Sequence, residues 1–258
     1  MENLPIDSAK RLENLRDEVR KLVPAAQRGG VRVAFGVETV DDRIMGNGLS
    51  VSALHEVAAA TVGPADDASA TLFVAGIAAR AKAKSPVIWI VSRFDLFAPG
   101  LQQAGLPPEQ LLQVEARKDE DALAVMEDAL RHGGAGAVVG EITRVSMTAT
   151  RRLQLAAEEG ATMALLLRRW RKPGVDPLME PSAAVTRWRI GCVPSAALPV
   201  MGIGRPRWRV SLVRQRGGEP HDWILEGCDA QGRLAVPAEL GNGSATPARR
   251  QERQDIAA

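Results

Sequence analysis

Five consecutive apolar residues, Val87 to Val91, constrain the fold of this chain more than any other feature. A run of this length without polar alternation is typical of a strand that is buried on both faces of a parallel sheet. Helical patterns separate it from further strand patterns at 52–57, 111–114, 137–142 and 162–167. This alternation predicts an α/β fold with an open, mostly parallel twisted sheet and helices on both faces.

The pattern changes after residue 168. Residues 186–192 alternate between polar and apolar, and 207–215 and 222–225 predict an antiparallel hairpin around Gly217-Gly218. We therefore expect the sheet to continue with antiparallel strands. We expect the chain to divide into an N-terminal helix and linker (1–35), a core domain (36–236) and a mobile tail rich in Gly, Ser, Pro and Gln (237–258).

Composition excludes several classes of protein. With 258 residues, 45% of them hydrophobic, the chain can bury a core without metal or disulfide staples. Its two cysteines, Cys192 and Cys228, form no ligand pattern for zinc. The start is charged rather than apolar, and no apolar run approaches the roughly 20 residues of a membrane span. We expect a cytoplasmic protein that binds no metal and no membrane.

The charges are unevenly distributed. The net charge is +2, but residues 165–216 carry eleven basic and two acidic residues, so this segment is +9 and the remainder −7. Four of the five tryptophans lie in or just after it. A basic segment with interleaved aromatics on an acidic body indicates a partner of negative charge.

The order of these patterns resembles the core of RecA-type recombinases over about residues 36–228. The resemblance begins with the Gly-rich approach to the strand at 49–57. It continues through Leu106–Leu130 (LPPEQLLQVEARKDEDALAVMEDAL) and ends with Arg209–Gly227 (RVSLVRQRGGEPHDWILEG), which resembles the final hairpin of that family. The resemblance implies a RecA-like core with a phosphate loop after the first core strand.

That loop is degenerate here. A working phosphate loop has the pattern GxxxxGK[ST], in which backbone N–H groups, a lysine and a hydroxyl hold the phosphates and Mg²⁺. The corresponding stretch reads GPADDASAT, and two carboxylates would repel a triphosphate by several kcal/mol at an effective dielectric constant of about 20. Its residues are Gly63, Pro64, Asp66, Asp67, Ala68, Ser69 (the lysine position) and Ala70 (the hydroxyl position).

Two further positions depart from an ATPase. The catalytic glutamate of the family aligns with Arg93, and an arginine cannot act as a general base. The Walker B acid aligns with Glu141, and a glutamate at a strand end is more often a solvated rim residue than a metal ligand. The sequence therefore predicts that the protein is not an enzyme and binds no cofactor.

Among RecA-like chains without a working phosphate loop, this chain most resembles the ImuA family of accessory proteins in damage-inducible mutagenesis. The resemblance implies a role in error-prone translesion DNA synthesis beside an ImuB-type homologue of Y-family polymerases and an error-prone polymerase complex. RecA and single-stranded DNA are further candidate partners. The alternative is a SulA-like inhibitor that acts by binding a cell-division protein.

RecA-type proteins carry a DNA-contacting loop after the fourth core strand, which corresponds here to 168–181. Cations there would neutralise phosphates, and Trp170 would stack on a base or contact a partner. Trp188 and Trp208 lie in strand patterns, and we expect both to be packed. The candidate DNA-binding residues are Arg168, Arg169, Trp170, Arg171 and Lys172.

Two more segments are candidate partner surfaces. RecA-type proteins place two basic residues at the start of the last hairpin against a neighbouring subunit, and Arg214 and Arg216 match them. The alternative is two solvated arginines. The N-terminal helix pattern at 8–23 presents Leu12, Leu15 and Val19 on one stripe, either for a partner or for its own domain.

Overall fold

The structure is a computed structural model that describes residues 30–82, 84–195, 202 and 204–237. Ten strands form two sheets. The small sheet pairs β1 and β2, and the large one has the order β10-β9-β8-β3-β7-β6-β4-β5. The strands are β1 (Arg32–Val33), β2 (Leu49–Ser50), β3 (Leu54–Ala59), β4 (Val87–Val91), β5 (Leu111–Glu115), β6 (Ala137–Ile142), β7 (Met163–Arg168), β8 (Thr186–Val193), β9 (Arg207–Gln215) and β10 (His221–Glu226).

The large sheet is mixed in direction. Its six strands from β8 to β5 run parallel, whereas β9 pairs antiparallel with β8, and β10 pairs antiparallel with β9. The apolar run 87–91 is β4, between β5 and β6. The predicted parallel sheet with an antiparallel C-terminal hairpin is thereby confirmed.

Helices cover both faces of the parallel strands. On one face, α2 packs Phe73 and Ile77 against the sheet; on the other, α4 and α5 pack Met126 and Leu153. We call these the α2 face and the α4/α5 face. The helices are α1 (Glu38–Asp41), α2 (Pro64–Ala81), α3 (Ala98–Gln103), α4 (Asp119–His132) and α5 (Met147–Glu159).

An aromatic cluster extends the core towards the hairpin. Trp188 and Trp208 are fully buried on the α2 face, as predicted. Phe73 contacts both indole rings, with ring centroids 5.8 and 6.4 Å apart. Phe35 contacts Trp188 at 5.4 Å. Alternation along each strand places the tryptophans inside and the flanking arginines on the opposite face.

The start of α2 differs from the sequence prediction. The sequence resemblance puts Asp66 and Asp67 in a phosphate loop, but α2 begins at Pro64 and includes both residues. Gly63 is the extended N-cap, and proline at the first helical position is preorganised for a helix start. The two carboxylates therefore lie in the first turn, where the helix dipole favours them. The predicted N-terminal helix with Leu12, Leu15 and Val19 and the tail from 238 lie outside the described residues.

Candidate functional site at the carboxyl edge of the sheet

The carboxyl ends of β3, β7 and β6 lie side by side at one edge of the sheet. Ligand sites of open parallel sheets lie outside this edge. The turn from β3 into α2 brings the stretch 63–70 there, and Glu141 and Arg169 arrive from the ends of β6 and β7. The structure thus joins the predicted phosphate-loop stretch, the Walker B position and the basic loop in one place.

Arg169 connects these elements through its guanidinium. Its Nη1 donates to Asp67 Oδ1 at 2.8 Å and to Thr71 Oγ1 at 3.2 Å. Its Nε donates to Glu141 Oε2 at 3.1 Å, and its Nη2 lies 3.0 Å from Glu141 Oε1. One side chain therefore ties the first turns of α2 to the end of β6.

The bridge is largely buried. The side chain of Arg169 is 21% exposed, and that of Glu141 only 5%. Trp89 Nε1 also donates to Glu141 Oε1, at 3.0 Å. Burial by itself lowers the pKa of Arg169, but the carboxylates of Glu141 and Asp67 outweigh it and raise that pKa above its ordinary value. The site holds a permanent cation supplied by the chain itself.

Asp66 is also engaged within the chain. Its Oδ1 accepts the backbone N–H of Cys192 at 2.7 Å, and its Oδ2 accepts the Thr61 hydroxyl at 2.7 Å. Asp66 thereby ties α2 to the end of β8, as Asp67 ties it to β7. Both carboxylates that the sequence placed at a phosphate cradle make structural contacts.

At the remaining positions of the ATPase comparison, the side chains make local contacts. Ser69 donates its hydroxyl to the Ala65 carbonyl at 2.8 Å, one turn earlier in α2. Arg93 extends from the end of β4 with its side chain 81% exposed, paired with Asp95. Within the described ranges, no group of three or more His, Cys, Asp or Glu residues could hold a metal ion.

The five residues of the candidate DNA-binding loop have different surroundings. The prediction that Arg168 contacts DNA does not agree with its position in the structure. Its side chain has no exposed surface, because it lies on the α4/α5 face beside Glu56 and Glu180. The half-buried Trp170 donates its indole N–H to the Ala59 carbonyl at 2.8 Å. Only Arg171 and Lys172 are exposed. The DNA contact stays a prediction, and it now depends on these two cations.

Trp170 also borders an open groove at this edge. The groove is lined by the turn after β3, from Ala60 to Gly63, and by Trp170, Pro173 and Gly174 of the basic loop. Its lining includes the side chain of Trp170 and contains no charged residue. It is the surface that the predicted base stacking would use.

Sequence reasoning missed a buried ionic cluster on the α4/α5 face. Glu56, fully buried in β3, accepts from Arg187 Nε at 2.8 Å and from the Ser182 hydroxyl at 2.7 Å. Arg168 completes the cluster, with Nη1 3.6 Å from Glu56 and Nη2 2.6 Å from Glu180. The signal was an acid within a short strand pattern, LHEVAA, that lies in the middle of a predicted parallel sheet, since a buried carboxylate is normally paired with a cation.

Arg214 and Arg216 lie at the far end of β9, near the amino edge of the parallel strands. Both are exposed. Arg216 Nη2 donates to the Ala183 carbonyl at 3.1 Å, and Arg214 Nη1 lies 3.5 Å from the Ser182 carbonyl. The structure therefore separates these candidate partner residues from the carboxyl-edge site.

Comparisons with known proteins agree with the sequence resemblance. The chain is 40% identical over 207 residues to Protein ImuA of two Caulobacter vibrioides strains, NA1000 / CB15N and ATCC 19089 / CIP 103742 / CB 15. The match covers 77% of this chain and 84% of each relative. A sequence model described as the cell division inhibitor SulA matches residues 76–164.

One solved structure is also similar. SulA from Pseudomonas aeruginosa aligns with a TM-score of 0.38 and 25% identity, over 45% of this chain and 96% of its own. A TM-score of 0.38 is too low for this structure to indicate the fold or the function of the chain. Among the helices within the described ranges, none combines the length and apolar character that a membrane crossing requires.

Proposed function

Since this chain belongs to the ImuA family, we propose that it is a non-catalytic, RecA-like accessory protein in damage-induced, error-prone translesion DNA synthesis. The observation that carries the proposal is the sequence shared with Protein ImuA along most of both chains. The described geometry supports the non-catalytic part, because Arg169, Asp67 and Glu141 pair with one another where the sequence resemblance would put a triphosphate and its metal.

Its mechanism would be scaffolding. The protein binds an ImuB-type homologue of Y-family polymerases and, through it, an error-prone polymerase complex. RecA and single-stranded DNA are further proposed partners, the DNA at Arg171 and Lys172. Arg214, Arg216 and the N-terminal stripe of Leu12, Leu15 and Val19 are the proposed partner-binding residues.

Affinity purification tests the proposal. The tagged full-length chain is isolated from DNA-damaged cells of its own species, treated with nuclease, and its bound proteins are identified by mass spectrometry. We expect the polymerase homologue, alone or with RecA. Arg214→Glu with Arg216→Glu should lower its recovery, whereas Arg151→Glu on the exposed side of α5 should not. Recovery of neither protein from wild type would contradict the accessory role.

A second candidate is a SulA-like inhibitor of cell division, favoured by the family match over residues 76–164. That segment contains α4, β6 and α5 but not the basic strands β8 and β9. The same purification distinguishes the two functions. A division protein recovered without a polymerase would favour the inhibitor.

A further inference from the structure

The eleven cations of the basic segment 165–216 form two groups. Five are paired with carboxylates: Arg168, Arg169, Arg187, Arg189 and Arg205. Within the described part of the chain the other six have no carboxylate partner: Arg171, Lys172, Arg207, Arg209, Arg214 and Arg216. The positive charge available for binding is therefore concentrated in the second group.

Four of those six share one face of β9, although two have odd and two have even numbers. Strict alternation of side chains along a strand would place the odd-numbered and the even-numbered arginines on opposite faces of the sheet. The register with β8 shifts here by one residue. Trp188 lies opposite Leu212, but its neighbour Arg187 lies opposite Arg214. The extra residue, Val213, forms a bulge that reverses the alternation.

The neighbours of these arginines confirm the shift. Leu212 belongs to the core on the α2 face. Arg214 lies opposite Arg187, which pairs with Glu56 on the α4/α5 face, and Arg216 follows two residues later. Arg207 and Arg209 flank the inward-facing Trp208 and so point to the α4/α5 face too. We call Arg207, Arg209, Arg214 and Arg216 the β9 arginine row. At about 3.3 Å per residue it extends for about 30 Å.

This face of β9 is open among the described residues. Helices α4 and α5 pack on β3, β4, β6 and β7, and no described helix covers β9 or β10 on this side. Ile224 of β10 lies directly opposite Arg209 and is 40% exposed. The row is thus interleaved with aliphatic surface, which includes the half-buried Val213.

The chemistry of this surface favours a protein partner over nucleic acid. Arginine beside aliphatic side chains is characteristic of protein interfaces, whereas sites for single strands add exposed aromatic rings. Trp188 and Trp208 face the opposite side, into the core. Asp222 and Glu226 of β10 lie opposite Ser211 and Arg207 and interrupt the positive surface, and Glu226 is paired with Arg205. A nucleic-acid backbone carries a charge at every nucleotide, whereas a peptide can space its carboxylates to match separate arginines.

We propose that the β9 arginine row, together with Ile224, is a docking surface for an acidic protein segment that carries aliphatic side chains. Carboxylates of the partner would pair with the guanidiniums, and its aliphatic groups would cover Ile224 and Val213. The docking surface itself is inferred from the structure. Only the cellular role of its partner rests on the proposed function, since an accessory protein acts by binding other proteins.

A peptide-binding measurement tests the surface directly. The probe is a fluorescein-labelled peptide of about ten residues, the length of the row, in which glutamate alternates with leucine. Its affinity for the full-length protein is measured by fluorescence anisotropy at several salt concentrations. We expect saturable, salt-sensitive binding that Arg209→Glu with Arg214→Glu weakens about tenfold or more, since both side chains are exposed.

Lys118→Glu with Arg151→Glu is the matched control, because it makes the same change in charge at exposed positions near the starts of α4 and α5. We expect it to leave peptide affinity within about twofold. Ile224→Ser should weaken peptide binding without affecting the binding of oligothymidine. Thermal unfolding of each variant verifies that the fold is retained.

Several results would overturn the assignment: no peptide binding by wild type, equal loss in the matched control, or no effect of Arg209→Glu with Arg214→Glu. Loss of oligothymidine binding with unchanged peptide binding would instead make the row a nucleic-acid surface. The peptide-binding measurement is made without any polymerase. Its failure would therefore leave the proposed accessory function intact, and that function fails only if the purification recovers none of its partners.

Discussion

The Arg169 guanidinium lies 3.0 Å from the Glu141 carboxylate and also donates to Asp67, at 2.8 Å, so one cation joins two acids that the sequence assigned to nucleotide chemistry. The three charges come from the ends of β6 and β7 and the start of α2. This ion bridge lies among the residues to which the sequence resemblance assigns phosphate and metal binding in RecA-type ATPases. The bridge therefore holds β6, β7 and α2 together at this edge of the sheet.

Replacing Arg169 should destabilise the protein. Arg169→Ala leaves Glu141 buried without its cation, and breaking such pairs costs about 3–5 kcal/mol when both partners are buried. Because Arg169 is 21% exposed, we expect a loss of about 2 kcal/mol in the free energy of unfolding in urea. Arg171→Ala, two residues further along and exposed, should cost less than about 0.5 kcal/mol. Equal effects of the two changes would contradict a structural bridge.

The filled carboxyl edge should not bind nucleotide. Equilibrium dialysis with ATP and Mg²⁺ should show no saturable binding by wild type, because Arg169 and two carboxylates occupy the cradle and Ser69 replaces the lysine. Asp66→Asn with Asp67→Asn removes the repelling charge and should still fail to bind. Saturable, Mg²⁺-dependent binding by wild type would refute the non-catalytic assignment.

Single-stranded DNA binding, if it uses the basic loop, should depend on Arg171 and Lys172 rather than on Arg168. Arg171→Ala with Lys172→Ala removes two phosphate contacts. The slope of log K against log salt concentration should then fall by about 1.4, at about 0.7 per contact. Anisotropy of labelled oligothymidine measures this slope, and Lys118→Ala with Arg151→Ala is the matched control. An unchanged slope would exclude the loop from the DNA interface.

His55 should make the protein less stable as the solution becomes acidic. It is buried between the Thr186 hydroxyl and the Ser50 carbonyl, at 2.8 and 2.9 Å. Burial lowers the pKa of His55 to about 4, against a partly opposing effect of the Ser50 carbonyl. An unfolded histidine has a pKa of about 6.5, so the unfolded state binds the proton first and is favoured as the pH falls.

The decrease in the free energy of unfolding should begin near pH 6.5 and be complete below about pH 4. It should reach about 3 kcal/mol at most. Chemical denaturation of wild type and His55→Gln between pH 7 and 4 measures it. The stability advantage of wild type should shrink across this window. His132→Gln, at an exposed histidine, serves as the control. Parallel curves for wild type and His55→Gln would contradict the prediction.

The two cysteines should differ in reactivity. Cys192 is exposed, whereas burial raises the pKa of the Cys228 thiol to about 12. The thiolate is the reactive form, so a thiol reagent at pH 8 should modify one cysteine rapidly in the native state and both in denaturant. Cys192→Ser should abolish the rapid reaction. Two rapid native modifications would show that Cys228 is accessible.

The sequence by itself determined the elements whose signals are local. β4 and β6 have the predicted bounds because each depends on a continuous pattern of apolar residues. The Gly133 stop of α4 has a φ of 71°, a conformation that glycine adopts without strain. The burial of Trp188 and Trp208 followed in the same way from alternation within a strand.

Only the tertiary structure decided which charges are available for binding. Arg168, Arg169 and Arg171 belong to one basic run in the sequence, yet the first is buried beside Glu56, the second bridges Glu141 and Asp67, and the third is exposed. The partners named here, Glu56, Asp67 and Glu141, lie 28 to 112 residues earlier in the chain, where no local pattern connects them. The bulge that aligns the β9 arginine row likewise depends on pairing with β8. Whether a charge binds a partner or stabilises the fold depends on what packs beside it, and that is set by long-range topology.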